Sequence, residues 1–173
     1  MFLGVPLPGP PWRVTSSWNE ANQTLEYLIS IHGKNLDRAI GYARDIYRDL
    51  TLLFPLLEDL CVSTCPWCPD PCCLSAYVWF DLKDLLFIHL NRLPVSQGQP
   101  MSDSKMTCRY FGNRGCQLER ICRPWICSWY LCPTQLGALK RHSHRVKGFF
   151  DETTAKIRLA RRSMESVFIQ LTY

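Results

Sequence analysis

From Asn35 onward the apolar residues Leu36, Ile40, Ala43, Ile46, Leu50, Leu53, Leu57 and Leu60 recur at three- and four-residue steps. That spacing lines one stripe of an amphipathic helix, and Pro55 within it predicts a kink. A second stripe runs through Leu136, Leu139, Ser143, Val146, Phe150, Thr153, Ile157, Ala160, Met164, Val167 and Leu171. It predicts one helix of about 35 residues, about 50 Å long at the helical rise. Two such stripes imply antiparallel packing in a bundle. An earlier helix is expected over residues 20–31, closing at Gly33.

Between the long helices the pattern shortens. Residues 75–80 read as a short strand, and Asp81 as the cap of a helix over residues 82–91 with Leu82, Leu85, Leu86 and His89 on one face. Residues 94–105 read as a polar linker. Beyond it, 107–111 and 116–118 flank Gly112-Asn113-Arg114-Gly115, the composition of a hairpin turn, with Cys108 and Cys116 on the two arms. Residues 1–16 are rich in proline and are expected to lie extended, with Trp12 as an anchor. The expected fold is mainly α: long antiparallel amphipathic helices with a cysteine-rich, metal-binding loop region (61–132) and a small β-hairpin, forming one domain over 17–173.

The chemistry lies in ten cysteines, gathered in two knots: Cys61, Cys65, Cys68, Cys72, Cys73 and then Cys108, Cys116, Cys122, Cys127, Cys132. Buried structural cysteines scatter like other small hydrophobes, whereas a metal needs thiolates converging on one point. Pro66, Pro69 and Pro71 bar helix and central strand from the first knot, which reads as a shaped loop. A disulfide framework is the rival. The N-terminus offers no secretory leader, since Pro6, Pro8, Pro10 and Pro11 break any apolar run, so a cytoplasmic location with reduced thiols is expected. No segment reaches the roughly 20 apolar residues of a membrane helix, and no membrane association is expected.

Cys65-x2-Cys68-x3-Cys72-Cys73, followed by Cys108, Cys116 and Arg123-Pro124-Trp125-Ile126-Cys127, resembles the YkgJ-type family of zinc- or iron-chelating proteins with their CxxCxxCC signature. The likeness spans residues 65–132, with one residue more before the vicinal pair than the family has. Flagellin lysine N-methylase is similar at a greater distance. The resemblance implies a bound iron–sulfur cluster or zinc held by Cys65, Cys68, Cys72, Cys73, Cys108, Cys116 and Cys127. Cys132 adds an eighth thiol within reach. Arg123 is expected at the cofactor, bonding carbonyls or neutralising thiolates. Cys61 and Cys122 have no counterpart and read as structural thiols. Cys61, Cys65 and Cys68 also spell the CxxxCxxC of radical S-adenosylmethionine enzymes, but the barrel and glycine-rich motif of those enzymes are missing. Trp67, Trp125, Trp129 and Tyr130 are expected to exclude water from the centre.

Seven or eight thiolates exceed the four that one structural zinc uses, which favours an iron–sulfur cluster, although two zinc ions would also use eight. Three function classes follow: a redox or cluster-dependent module, a metal-dependent modifying enzyme of the methyltransferase kind, and a structural zinc domain that binds a partner. No phosphate-binding loop, dinucleotide fingerprint, HExxH or nucleophile elbow supports other chemistry. The net charge of +5 is concentrated between Lys140 and Arg162, a solvated helix face or a site for an acidic protein or nucleic acid. His142 and His144, two residues apart, diverge on a helix and read as surface residues.

Overall fold

The two long apolar stripes pack on each other. In the computed structural model, which describes residues 9–69, 71, 74, 77–101, 107–113 and 115–172, six α-helices are defined. These are α1 (Thr15–His32), α2 (Asp37–Thr64), α3 (Leu82–Leu90), α4 (Ile126–Trp129), α5 (Pro133–Arg141) and α6 (His144–Thr172). The contact between α2 and α6 is the most extensive between any two helices. Ser63, near the end of α2, lies beside His142, just ahead of α6. Midway along both helices Lys156 of α6 meets Asp49 of α2 at 3.1 Å. Equal steps in opposite directions make the pair antiparallel.

Helix α3 fills the space between α1, α2 and α6. The expectation of a single apolar face gives way to burial all round, with Leu85, Leu86, Phe87, Ile88 and Leu90 in the core. Its start is fixed by a reciprocal cap: Asp84 N–H donates to Asp81 Oδ1 at 2.8 Å, and Asp81 N–H to Asp84 Oδ2 at 3.0 Å. Its end is fixed by Arg92 in the left-handed region (φ 54°) and by the Leu93 N–H donating to the Ile88 carbonyl at 2.9 Å. Where α1 passes α3, Asn22 gives its amide N–H to the Trp18 carbonyl at 2.8 Å, so its oxygen accepts from His89 Nε2 at 2.7 Å. Burial pushes the His89 pKa down, and the ring is a satisfied core histidine.

Several expectations change. Helix α1 begins at Thr15, and Gly33 continues into a 3₁₀ turn (Gly33–Asn35) with right-handed angles instead of closing the helix in the left-handed region. Helix α2 runs unbroken through Pro55, which sits with Thr51 on the exposed side, where water serves the carbonyl that proline cannot bond. The single C-terminal helix is two. His142 turns extended (ψ 168°), and the Val146 N–H donates to Ser143 Oγ at 3.4 Å, restarting the helix. Of the expected strand, residues 75 and 76 lie outside the described residues and 77–80 take no strand. There the side chain of Gln99 replaces a strand partner, accepting from Phe80 N–H at 2.7 Å and donating to its carbonyl at 3.1 Å. Gln99 and Met101 are buried, so of the expected linker residues 98–101 are packed structure, while Pro94, Val95 and Gln97 are exposed as expected. Trp12 donates its indole N–H to the same Phe80 carbonyl at 3.0 Å.

One buried ion pair ties these parts together. Arg161, only 4% exposed, donates from Nη1 to Asp84 at 2.8 Å and from Nη2 to Asp81 at 2.9 Å. Its guanidinium lies 5.7 Å from the Trp125 ring, and Asp84 Oδ1 also accepts the Trp125 N–H at 3.0 Å. The basic run therefore does not form one solvated face. Burial pushes the Asp84 carboxyl up to about 6, against the pull of Arg161, so at neutral pH it is ionised and paired. Arg161→Met would leave this carboxyl buried alone and raise its pKa further. A folded value above the unfolded one gives stability at low pH that is lost as pH rises through the folded value. The variant should therefore lose little at pH 5 and about 3–5 kcal/mol at pH 8 in denaturant unfolding. Equal losses at both pH values would contradict the pairing.

Candidate metal centre

The second knot is built on a hairpin. Strands β1 (Phe111–Gly112) and β2 (Gly115–Cys116) pair antiparallel, Phe111 opposite Cys116 and Gly112 opposite Gly115. The turn needs glycine at 115, where φ is +96°. Cys116 lies on an arm as expected. Cys108 does not: it precedes β1 in a turn whose Phe111 N–H donates to the Cys108 carbonyl at 3.1 Å. The backbone amides of Tyr110 and Phe111 also reach its sulfur, which opposes the upward push of burial on its pKa. Amides aimed at sulfur favour the thiolate, the form that binds metal.

After β2 the chain forms a 3₁₀ turn (Arg120–Cys122), passes Arg123-Pro124 and enters α4, where the Cys127 N–H donates to the Pro124 carbonyl at 2.9 Å. Arg123 Nε donates to the Leu118 carbonyl at 3.1 Å, closing this loop on itself. The Cys127 residue keeps part of its surface in solvent, yet enough protein surrounds the sulfur that burial pushes its pKa up to about 12. Cys116, Cys108 and Asp84 add to that rise through their negative charge, and Arg123 opposes it. Cys108, Cys116 and Cys127 thus share one local field with a guanidinium at its edge.

The first knot forms another group. Cys61 follows Leu60, the last residue of the α2 stripe, and the 3₁₀ turn Cys65–Trp67 comes directly after the helix. Gln135 of α5, buried, points its amide nitrogen at both sulfurs, 3.5 Å from Cys61 and 3.7 Å from Cys65. Its oxygen accepts the Cys132 N–H at 3.4 Å, which brings the backbone of Cys132 to the same place. Arg120 donates to Glu58 Oε2 at 2.6 Å and to the Cys61 sulfur. Cys68 closes the 3₁₀ turn through its N–H on the Cys65 carbonyl at 3.2 Å. Cys72 and Cys73 lie outside the described residues.

Six of the eight expected ligands are therefore placed, in two neighbourhoods. Among the described residues no three cysteine, histidine or acidic side chains stand close enough to hold one ion. The donor set still fits a thiophilic group: soft sulfur ligands, amide donors at Cys108 and an arginine beside each neighbourhood. Cys122 is buried, as a structural thiol would be. Cys61 was unremarkable from sequence, and only its i,i+4 spacing to Cys65 hinted at a shared helix face. Gln135 and Arg120 carried no signal, because an amide or a cation is recognised as a sulfur partner only once the fold sets it there. His142 and His144 are exposed. The aromatic shield is reduced to half-buried Trp125 and Trp129, since Trp67 is 85% and Tyr130 46% exposed. Among the described residues no helix is long and apolar enough to cross a membrane.

No protein family, curated protein or solved structure matches the chain.

The Cys127 environment has a chemical consequence. A rise from the ordinary thiol value of 9.0 to about 12 depletes thiolate, while the stronger basicity recovers about half of the logarithmic loss in reactivity. Iodoacetamide at pH 8 should modify Cys127 of the folded, metal-free chain about 30-fold more slowly than in urea, as followed by peptide mass spectrometry. Equal rates would show that the thiol is not held in this field.

Proposed function

We propose that the chain is a metal-binding protein whose cysteine knots hold an iron–sulfur cluster in a redox or cluster-dependent role. The observation that supports this best is the second knot, where Cys108, Cys116 and Cys127 share one field with amide donors on one sulfur and Arg123 beside another. Cys65, Cys68, Cys72, Cys73 and Cys132 complete the proposed ligand set, which is the set the YkgJ-type resemblance implies. Such a cluster supplies one-electron transfer at thiolate-bound iron. The residues around it hold and shield it. Arg123 offsets thiolate charge, the Tyr110 and Phe111 amides draw charge from sulfur, and Trp125 covers the buried side above Arg161. Reduced thiols suit the cytoplasm, where we place the protein. Its exposed basic residues, among them Arg145, Arg158 and Arg162, offer a protein partner a docking face on α6.

The chain purified without oxygen should be brown, contain iron and sulfide, and lose its visible absorption on reduction. Cys127→Ser should abolish the loading of iron and sulfide and lower stability, because binding energy at such sites is also folding energy. Cys122→Ala should keep the full metal content. Zinc in place of iron, in a colourless protein, would reject the redox reading in favour of a structural zinc domain.

A further inference from the structure

Two sulfurs of the first knot stand in surroundings that a pair of inert thiols does not need. Cys61 and Cys65 lie one helical turn apart on the same face at the end of α2. Gln135, 7% exposed, approaches both at 3.5 and 3.7 Å. The orientation of its amide is decided by the backbone: Oε1 accepts the Cys132 N–H, so the amide nitrogen must be the end that faces the sulfurs. Arg120 adds a donor to Cys61 and is itself held by Glu58 at 2.6 Å. Cys61 is half-buried and Cys65 exposed, so neither is packed as a small hydrophobe. An amide and a guanidinium converging on two sulfurs are what a thiolate pair asks for.

We infer, extending the metal-holding reading to a second centre and moving Cys65 from the cluster's ligands to it, that Cys61 and Cys65 form a thiolate pair of their own that takes a divalent thiophilic cation of the zinc class under the donors of Gln135 and Arg120. The charge fits this class. Arg120 already shares its charge with Glu58, so the two thiolates are best cancelled by an ion of charge two, whereas a monovalent ion would leave a net negative charge. The pair is also separate in construction from Cys108, Cys116 and Cys127. It rests on α2, the 3₁₀ turn after it and α5, while the other three rest on the hairpin, the turn before it and α4.

Cadmium titrated into the metal-free full chain tests this, with bound metal counted by mass spectrometry and each thiol followed by its rate of alkylation. Saturating cadmium should protect Cys61 and Cys65 together. Gln135→Leu should weaken binding at this pair about 10- to 100-fold, the loss usual when the partner of a ligand is removed, and should leave the protection of Cys108 and Cys116 unchanged. Cys61→Ser should remove one equivalent of cadmium with the helical circular dichroism unchanged. Cys61 alkylated equally fast with and without cadmium, while Cys108 and Cys116 are protected, would overturn the second centre and leave the metal-holding reading standing. Cys127→Ser stripping protection from Cys61 and Cys65 as well would also overturn it, by showing one shared centre. No protection at any thiol would end both readings.

Discussion

The Arg161–Asp84 ion pair is the contact on which the rest of this structure depends. Asp84 works in three directions: it closes the cap of α3, accepts the Trp125 amide and pairs with Arg161 of α6. Each is a hydrogen bond to a charged group in a water-poor interior, where such bonds are strong and their loss leaves a costly orphan. Through this one carboxylate the bundle determines where the loop bearing Cys127 can sit. A hydrophobic contact in the same place would stabilise the bundle as well, but it would not fix the direction of the turn after Pro124.

That constraint explains how the second knot brings three thiols into one field. Cys116 belongs to a hairpin of two-residue strands, too small to be stable alone, and Cys108 to the turn that precedes it. Cys127 is carried by a helix of a single turn. Neither element would keep its place by local propensity. The hairpin is tied inward by Tyr110, whose hydroxyl donates to the Gly98 carbonyl at 2.9 Å, and α4 by the Trp125 amide on Asp84. Negative charge on Cys116 and Cys108 raises the cost of ionising Cys127, and an ion that draws off the charge would stabilise the assembly.

How much of this could be read from sequence follows from which forces leave periodic traces. Burying a stripe does, so α2, α3 and the antiparallel pairing with α6 were legible, and so was the Asp81 cap, since an aspartate ahead of an apolar run has few other uses. Backbone repair by single side chains leaves none. Nothing in the sequence separates Gln99, which stands in for a strand, from any other loop glutamine. The break at His142-Ser143 lies inside an unbroken apolar rhythm, because α5 and α6 face the same core across it. Arg161 was misplaced for a related reason: its neighbours Arg158 and Arg162 are exposed, and one buried arginine in a basic run is invisible until its carboxylates are found on another helix. The cysteine spacing marked six described sulfurs but set Cys61 aside and counted Cys132 with the second knot, whereas Gln135 links the Cys132 backbone to Cys61 and Cys65.

The same 3₁₀ turn serves both neighbourhoods. Over the four residues from Arg120 to Arg123 the chain reverses around Cys122, whose side chain is sunk in the core. Arg120 on one side reaches Glu58 and Cys61, and Arg123 on the other reaches the Leu118 carbonyl and the field of Cys127. Each neighbourhood of sulfur therefore receives one guanidinium from one short segment. A cysteine suits the pivot because it is small and apolar enough to be buried where two charged side chains must diverge. In this arrangement the buried thiol of Cys122 is the fixed point, and its contribution to a metal centre is the placement of the two cations that make thiolates affordable nearby.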